Sequence, residues 1–330
     1  MKEAMFWEEE GGKVRCNLCP HHCLIGDGER GICNVRENRE GTLYSIIYGK
    51  AASLALDPIE KKPLYHFHPG TQVLSYGTTG CNLSCLFCQN ASLSNGNPES
   101  PYLSEYSVQE MVQKALQHAG IAWTYNEPTV AYEFSYDVSK ELKECGGGYS
   151  VYVTNGYIEE EPLKKLAPYL DAMNIDIKAF HDEFYRKIVG GELQPVLDTA
   201  KRALKLGIHV ELTYLIIPQH NDSPEELSEF AQWVVDEMGE ETVTHFSRFH
   251  PDHKMRDVPP TPKDKMEKAK NIAKEVGIKY VYLGNLPSDN DTRCPNCGEI
   301  VLKRSYFSSG EITLKDGKCP NCGENIPMIY

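Results

Sequence analysis

From residue 73 onward, short apolar runs alternate with segments whose apolar residues recur every three or four positions. Val73-Leu74-Ser75-Tyr76 reads as a strand. Ser107-x2-Glu110 is a capping box, and Val108, Met111, Val112, Ala115, Leu116 and Ala119 form one helical face that Gly120 ends. Ile121 to Tyr125 predicts the next strand, and Ala131, Phe134, Val138 and Leu142 the next helix. Strands follow over Tyr149 to Thr154, Ala172 to Ile177, Val210 to Ile217, Val243 to Phe249 and Tyr280 to Leu283. Helices fall between them at Glu159 to Leu166, Pro195 to Leu206, after the cap Ser223-Pro224-Glu225-Glu226, and after Thr261-Pro262. Such alternation predicts an α/β fold with a parallel sheet wrapped by helices. Six or seven units are too few to close an eight-unit barrel, so we expect an open, partial (β/α)6 TIM-like barrel over residues 51–290. Residues 51–72 read as an extended connector, because Pro58 and Pro63 forbid a regular helix.

Charge and composition narrow the function. A net charge of −13 over 330 residues argues against binding nucleic acid by phosphate neutralisation. No stretch of about 18 apolar residues is present to span a membrane. Met1 to Glu10 has no basic start followed by an apolar run, so we expect no signal peptide and a cytoplasmic protein. Eleven of the 12 cysteines fall into three groups, with Cys145 alone. Grouped thiols without a secretion signal point to metal sites rather than disulfides.

The first group, Cys16-x2-Cys19-x3-Cys23-x9-Cys33, marks residues 1–50 as a Cys-rich metal-binding segment. Four soft ligands in a loop-rich stretch suit zinc or an iron–sulfur cluster, and the spacing does not choose between a structural metal and an auxiliary cluster. His21 and His22 are alternative ligands or solvated loop residues. The last group is a duplication, Cys294-Pro-Asn-Cys297-Gly298 and Cys319-Pro-Asn-Cys322-Gly323, which predicts a zinc-ribbon-like domain over residues 291–330. The middle group, Cys81-x3-Cys85-x2-Cys88, follows the first barrel strand, with Gly77 and Gly80 allowing the backbone to turn. A 4Fe–4S cluster normally takes four cysteines, so three leave one iron open to a substrate or cofactor. A structural zinc that borrows a fourth ligand is the alternative. Further polar residues stand at the predicted strand ends: Asn126-Glu127-Pro128, Thr154-Asn155-Gly156, Asp176 and Lys178, Gln219 to Asp222, and Arg248 with His250. In barrel-like folds that end carries the active site. Each also has a plainer reading: Asn155-Gly156 as a turn, Asp176 and Lys178 as a mutual pair, Glu127 at a helix start.

Cys81-x3-Cys85-x2-Cys88 resembles the signature of radical S-adenosylmethionine enzymes. The resemblance implies that the open iron binds the amino and carboxylate groups of S-adenosylmethionine. The reduced cluster then cleaves that cofactor to a 5′-deoxyadenosyl radical, which takes hydrogen from a substrate. The barrel is similar to that of pyruvate formate-lyase activating enzymes. That likeness implies cofactor-binding roles for Glu127, Asn155, Asp176, Lys178 and His250, and an electron donor such as a flavodoxin or ferredoxin. Relatives often have Gly-Gly-Glu-Pro where this chain has Tyr125-Asn126-Glu127-Pro128. A closer resemblance rests on Cys16-Asn-Leu-Cys-Pro-His-His-Cys23, Pro63-Leu-Tyr-His-Phe67, Thr124-Tyr-Asn-Glu-Pro-Thr129 and Asn174-Ile-Asp-Ile-Lys-Ala-Phe180. These resemble the AmmeMemoRadiSam-system radical enzymes, which implies AMMECR- or Memo-type protein partners. A glycyl-radical activase acting on a protein, and a non-enzymatic iron–sulfur or zinc scaffold, are the competing expectations.

Overall fold

The computed structural model describes residues 1–330. Its centre is a sheet of eight strands: β1 (Ser53–Pro58), β2 (Gln72–Gly77), β3 (Gly120–Trp123), β4 (Tyr149–Thr154), β5 (Ala172–Ile177), β6 (His209–Ile216), β7 (Thr244–Arg248) and β8 (Val281–Gly284). Strands β2 to β8 are parallel and lie in chain order. Helices α1 (Val108–Ala115), α2 (Tyr132–Glu144), α3 (Glu160–Leu166), α4 (Leu193–Lys205), α5 (Pro224–Trp233) and α6 (Lys263–Val276) alternate with them. The outermost strands, β1 and β8, do not pair with each other, so the sheet stays open. The Ser107–Glu110 capping box is present, with Glu110 N bonded to Ser107 Oγ at 3.2 Å and Ser107 N to Glu110 Oε2 at 2.8 Å.

The connector expected over 51–72 needs correcting. Residues 53–58 form β1, antiparallel to β2 at the sheet edge. An edge strand needs only one partner and tolerates Pro58 at its end, so the prolines exclude a helix without excluding this strand.

Alternation along the strands sorts the core. Leu74, Tyr76, Ile121, Trp123, Met173, Ile175 and Leu212 pack outward with the helices in one large buried cluster. Val73, Ala122, Val151 and Ala172 face inward at the strands' N-terminal ends, where Ile59, Leu64 and Phe67 close over them. The inward positions beside and beyond these become polar: Asn174, Asp176, Glu211, Thr213 and His245.

Glu211 anchors that closed end. Its carboxylate accepts Tyr65 N at 2.9 Å and His66 N at 2.7 Å, and lies 3.0 Å from His209 Nε2 and 2.7 Å from His245 Nε2. The three-stranded C-terminal sheet (Thr292–Arg293, Ile300–Ser305, Ser308–Ile312) sits over the same end. Arg304 stacks 4.5 Å from the Tyr65 ring centroid, and His68 N donates to Ile329 O at 2.6 Å. Burial alone would raise the Glu211 carboxyl, but hydrogen bonds from His209 and His245 outweigh it and hold the acid well below its usual range. A depressed folded-state acid stabilises above the unfolded value, about pH 4.3, and that stability is lost as pH falls toward the folded one. We therefore expect the thermal midpoint to drop below about pH 4. The Glu211→Gln chain, already weaker at neutral pH, should lose less over the same interval; an equal loss in both would remove Glu211 as the cause.

The N-terminal segment forms two small three-stranded sheets, one of Lys2–Glu3, Thr42–Ser45 and Arg36–Arg39, the other of Trp7–Glu10, Lys13–Cys16 and Leu24–Ile25. It is bolted to α2 by a buried ion pair, Arg36 Nη2 to Glu133 Oε1 at 2.8 Å, with Met5 N on the same oxygen at 2.8 Å. No helix is long and apolar enough to cross a membrane.

Candidate functional site

The loop after β2 carries Cys81, Cys85 and Cys88, all partly buried. Two glycines make its path, each in its own way. Gly80 has φ +90°, and a Cβ there would lie 2.6 Å from Val35 Cγ1 and 2.7 Å from the Cys33 carbonyl. Gly77 gives room instead, since its Cβ would meet Tyr125 Cβ at 3.0 Å.

Neighbouring strand ends staple the loop in place. Asn126 accepts Thr78 N at 3.0 Å and donates to Gly80 O at 2.8 Å. Asn82 donates to Tyr157 O at 2.7 Å. Backbone bonds join Ser84 N to Val189 O at 2.8 Å, Leu86 N to Ile188 O at 3.0 Å, and Lys254 N to Leu86 O at 2.9 Å. Gly190 serves the turn here with φ +84°, a conformation that favours glycine.

Glu127 is 2% exposed and follows β3. Its Oε1 accepts Thr129 N at 2.9 Å and Thr154 Oγ1 at 2.7 Å, and its Oε2 accepts Asn155 N at 2.8 Å. Burial raises its carboxyl in spite of these bonds. A carboxylate offers about four acceptor positions, so three internal bonds leave room for one further donor. Asn155 points its Nδ2 at Cys81 Sγ, 3.8 Å away, and at Asn82 Oδ1, 2.9 Å away. At the end of β5, Lys178 Nζ pairs with Asp176 Oδ2 at 2.6 Å. Burial alone would lower the Lys178 ammonium; the charge of Asp176, helped by the neighbouring Cys85, keeps it above its usual value. Glu127, Asn155, Asp176 and Lys178 are thus gathered around the cysteine loop. His250 is exposed just beyond β7 and hydrogen-bonds to none of them, in a segment joined to the cysteine loop by Lys254 N to Leu86 O at 2.9 Å. The polar run after β6 is largely spent on the chain itself, with Asn221 bonded to Lys178 O at 2.7 Å, Leu215 O at 2.8 Å and Ile217 N at 2.7 Å.

Asn82 and Asn126 were not singled out as staples by sequence reasoning, nor was Tyr185, whose hydroxyl accepts Lys178 N at 2.9 Å. Tyr125 carried a readable signal. The resemblance sets it against a glycine, and its φ of +72° is the left-handed backbone that glycine favours. Its hydroxyl is tied to Asp57, with Lys62 Nζ 4.6 Å from its ring centroid.

The cysteine loop fits a cluster with one iron left to an outside ligand. Three thiols stand on one loop, and Leu83 N, 3.4 Å from Cys81 Sγ, and Asn155 Nδ2 supply N–H donors to a ligand sulfur. Burial pushes the Cys81 thiol up and Cys85 to about 11, a cost that bound iron reverses by holding them as thiolates. The buried hydroxyls of Thr78 and Thr129 lack partners beside the loop and Glu127.

The other two cysteine groups differ in geometry. Cys294, Cys297, Cys319 and Cys322 place all four sulfurs within 4.8 Å of one another. Cys16, Cys19, Cys23 and Cys33 line a recess with Leu18, Ile25 and Arg36. Of the two histidines between them, His21 lines the recess with its Nε2 2.6 Å from Asn82 O, and His22 faces Asn17 and Glu159. Cys145 is exposed and unpaired.

The Radical SAM superfamily model matches residues 75–234, from within β2 to α5. The chain is 52% identical over 319 residues to the protein MJ0808 of Methanocaldococcus jannaschii, with 95% of each chain covered. It is 22% identical over 238 residues to pyruvate formate-lyase 1-activating enzyme of Escherichia coli K12, covering 65% of this chain and 93% of that one. Among solved structures, a radical SAM methyltransferase from Sphaerobacter thermophilus superposes with a TM-score of 0.50 at 15% identity, over 64% of this chain and 68% of the other. Streptococcus suis SuiB bound to its precursor peptide SuiA gives 0.51 at 12% identity, over 69% and 51%.

Proposed function

Because the chain belongs to the radical SAM superfamily and is a radical SAM enzyme distantly related to pyruvate formate-lyase activating enzymes, we propose that Cys81, Cys85 and Cys88 hold the 4Fe–4S cluster and that the surrounding strand ends seat S-adenosylmethionine. The observation that carries this reading is the convergence of Glu127, Asn155, Asp176 and Lys178 on the stapled cysteine loop. When bound, such a cluster with one open iron supplies the electron that splits S-adenosylmethionine. The chain's own residues hold the cofactor. Glu127 keeps one acceptor position for the methionine ammonium and ties the ends of β3 and β4 together. Lys178, held cationic by Asp176, offers charge to an anionic group of the cofactor. The six strand–helix units form the partial barrel around it. His250, exposed beyond β7, is a further candidate contact to the cofactor.

The reading is tested by anaerobic reconstitution with iron and sulfide, then dithionite and S-adenosylmethionine, with 5′-deoxyadenosine as the measured product. Lys178→Met should raise the S-adenosylmethionine concentration needed to perturb the cluster's EPR signal by about 10- to 100-fold, the worth of one charged hydrogen bond. An unchanged titration would remove Lys178 from the seat.

The shared motifs support placing the chain in the AmmeMemoRadiSam system, with AMMECR- or Memo-type proteins as partners and a flavodoxin or ferredoxin as reductant. Similarity spanning 93% of an activating enzyme favours a second reading, in which the hydrogen donor is a glycine of a protein partner. That reading predicts a glycyl EPR doublet on the co-incubated partner, and a small-molecule substrate gives none.

At the C-terminus we assign zinc to Cys294, Cys297, Cys319 and Cys322. The segment has few buried apolar residues of its own, so the metal supplies folding energy. Purified protein should hold about one zinc here. Its removal by a chelator should open residues 291–330 to proteolysis while the barrel core resists. Unchanged resistance in zinc-free protein would contradict the assignment.

A further inference from the structure

We infer that Cys16, Cys19, Cys23 and Cys33 form a second iron–sulfur site, rather than a structural zinc site, built against the wall of the first.

The two four-cysteine groups of this chain provide the comparison. A zinc–sulfur bond of about 2.3 Å in a tetrahedron puts neighbouring sulfurs about 3.8 Å apart. The C-terminal thiols have that spacing, with Cys294 and Cys322 Sγ 3.5 Å apart and Cys297 and Cys319 Sγ 3.6 Å apart. It is the one group of three or more potential metal ligands in the chain gathered within 4.8 Å. The N-terminal thiols are therefore spread more widely, as are Cys81, Cys85 and Cys88, which the superfamily relation assigns to a cluster. Wide spacing suits sulfurs that each bind a different iron.

The N-terminal thiols also surround space. All four line one recess, walled by Leu18, Ile25, Ile32 and Val130. Apolar walls around a cluster limit solvent access and help to set its potential.

A third observation is independent of the cysteines. Arg36 lines the recess and is 2% exposed. Its terminal nitrogens are occupied by Glu133 and the Met5 carbonyl, but its Nε–H has no partner. A buried N–H left unmade is costly, and a cluster sulfur is an acceptor that ends that cost.

The site abuts the cysteine loop of the barrel. The Cys33 carbonyl and Val35 press on Gly80, and His21 Nε2 lies 2.6 Å from the carbonyl of Asn82, which itself lines the recess. These residues flank Cys81 on both sides.

The test uses the full-length chain carrying C81A, C85A and C88A, which empties the barrel loop but keeps the N-terminal group. After anaerobic reconstitution with iron and sulfide in the presence of zinc, this variant should retain iron and sulfide in equal amounts, with a thiolate-to-iron absorption band and a Mössbauer doublet of cluster iron. C33S, a single change that spares the other three thiols, should remove most of that iron from the triple variant. Zinc in place of iron at this site, or no metal beyond the C-terminal zinc, would overturn the inference. The outcome is separate from the S-adenosylmethionine reading, because it is read in a protein that cannot bind the barrel cluster.

Discussion

Replacing any one of Cys81, Cys85 and Cys88 by alanine should reduce 5′-deoxyadenosine formation to background, a loss of at least about 1,000-fold against a reaction whose acceleration comes from the cofactor. The loop has no spare thiol: Cys145 is exposed at the end of α2, and the remaining cysteines belong to the other two groups. The fold should survive. The loop is fixed by Asn82, Asn126 and backbone bonds to Val189 and Ile188, not by its sulfurs. Near-normal circular dichroism together with lost product therefore separates a failed site from a failed fold. Retained turnover in the alanine variants would place the chemistry elsewhere.

The largest stability loss is expected for Glu133→Ala. Arg36 and Glu133 are 2% and 0% exposed at their side chains, and the same carboxylate also accepts Met5 N. Removing one partner of a buried pair leaves an uncompensated charge, at a cost of about 3–5 kcal/mol. The loss should fall first on residues 1–50, to whose attachment on α2 this pair contributes beside Lys2 and Tyr48 on Asp137, so urea unfolding and limited proteolysis should both show the N-terminal segment released early. Arg36→Met combined with Glu133→Leu removes both charges and should recover much of the loss, because similarly sized apolar groups avoid the desolvation cost. If the single and double variants were equally weak, shape and not charge would explain the effect.

The barrel was legible because its strands are buried on both sides and its helices on one. Runs such as Ala172 to Ile177, and faces such as Met111, Val112 and Ala115, are written directly into the hydrophobic pattern. Strand β1 was not legible: Leu56 is exposed, only one side of the strand is paired, and Pro58 closes it. The short N-terminal strands, two to four residues each, are held by the hairpin ladders they form rather than by any periodic pattern. At the site, the cysteine spacing could be read because a metal cluster demands it. The staples could not, since Asn82 and Asn126 look like ordinary polar loop residues until the strands bring Tyr157 and Gly80 to them. Of the polar residues at the end of β6, Asn221 was hidden for the same reason. Asn221 is buried and bonded to the backbone of its own turn and of Lys178, which makes it structural.

One measurement bears most directly on the open iron. The reconstituted C16A/C19A/C23A/C33A chain, or the wild type with its signals separated by temperature, is reduced and its EPR spectrum recorded with and without S-adenosylmethionine. If one iron at Cys81, Cys85 and Cys88 is left to the cofactor, the g-values of that cluster shift on addition. A spectrum unchanged at saturating S-adenosylmethionine, from a cluster verified by Mössbauer spectroscopy, would contradict the assignment.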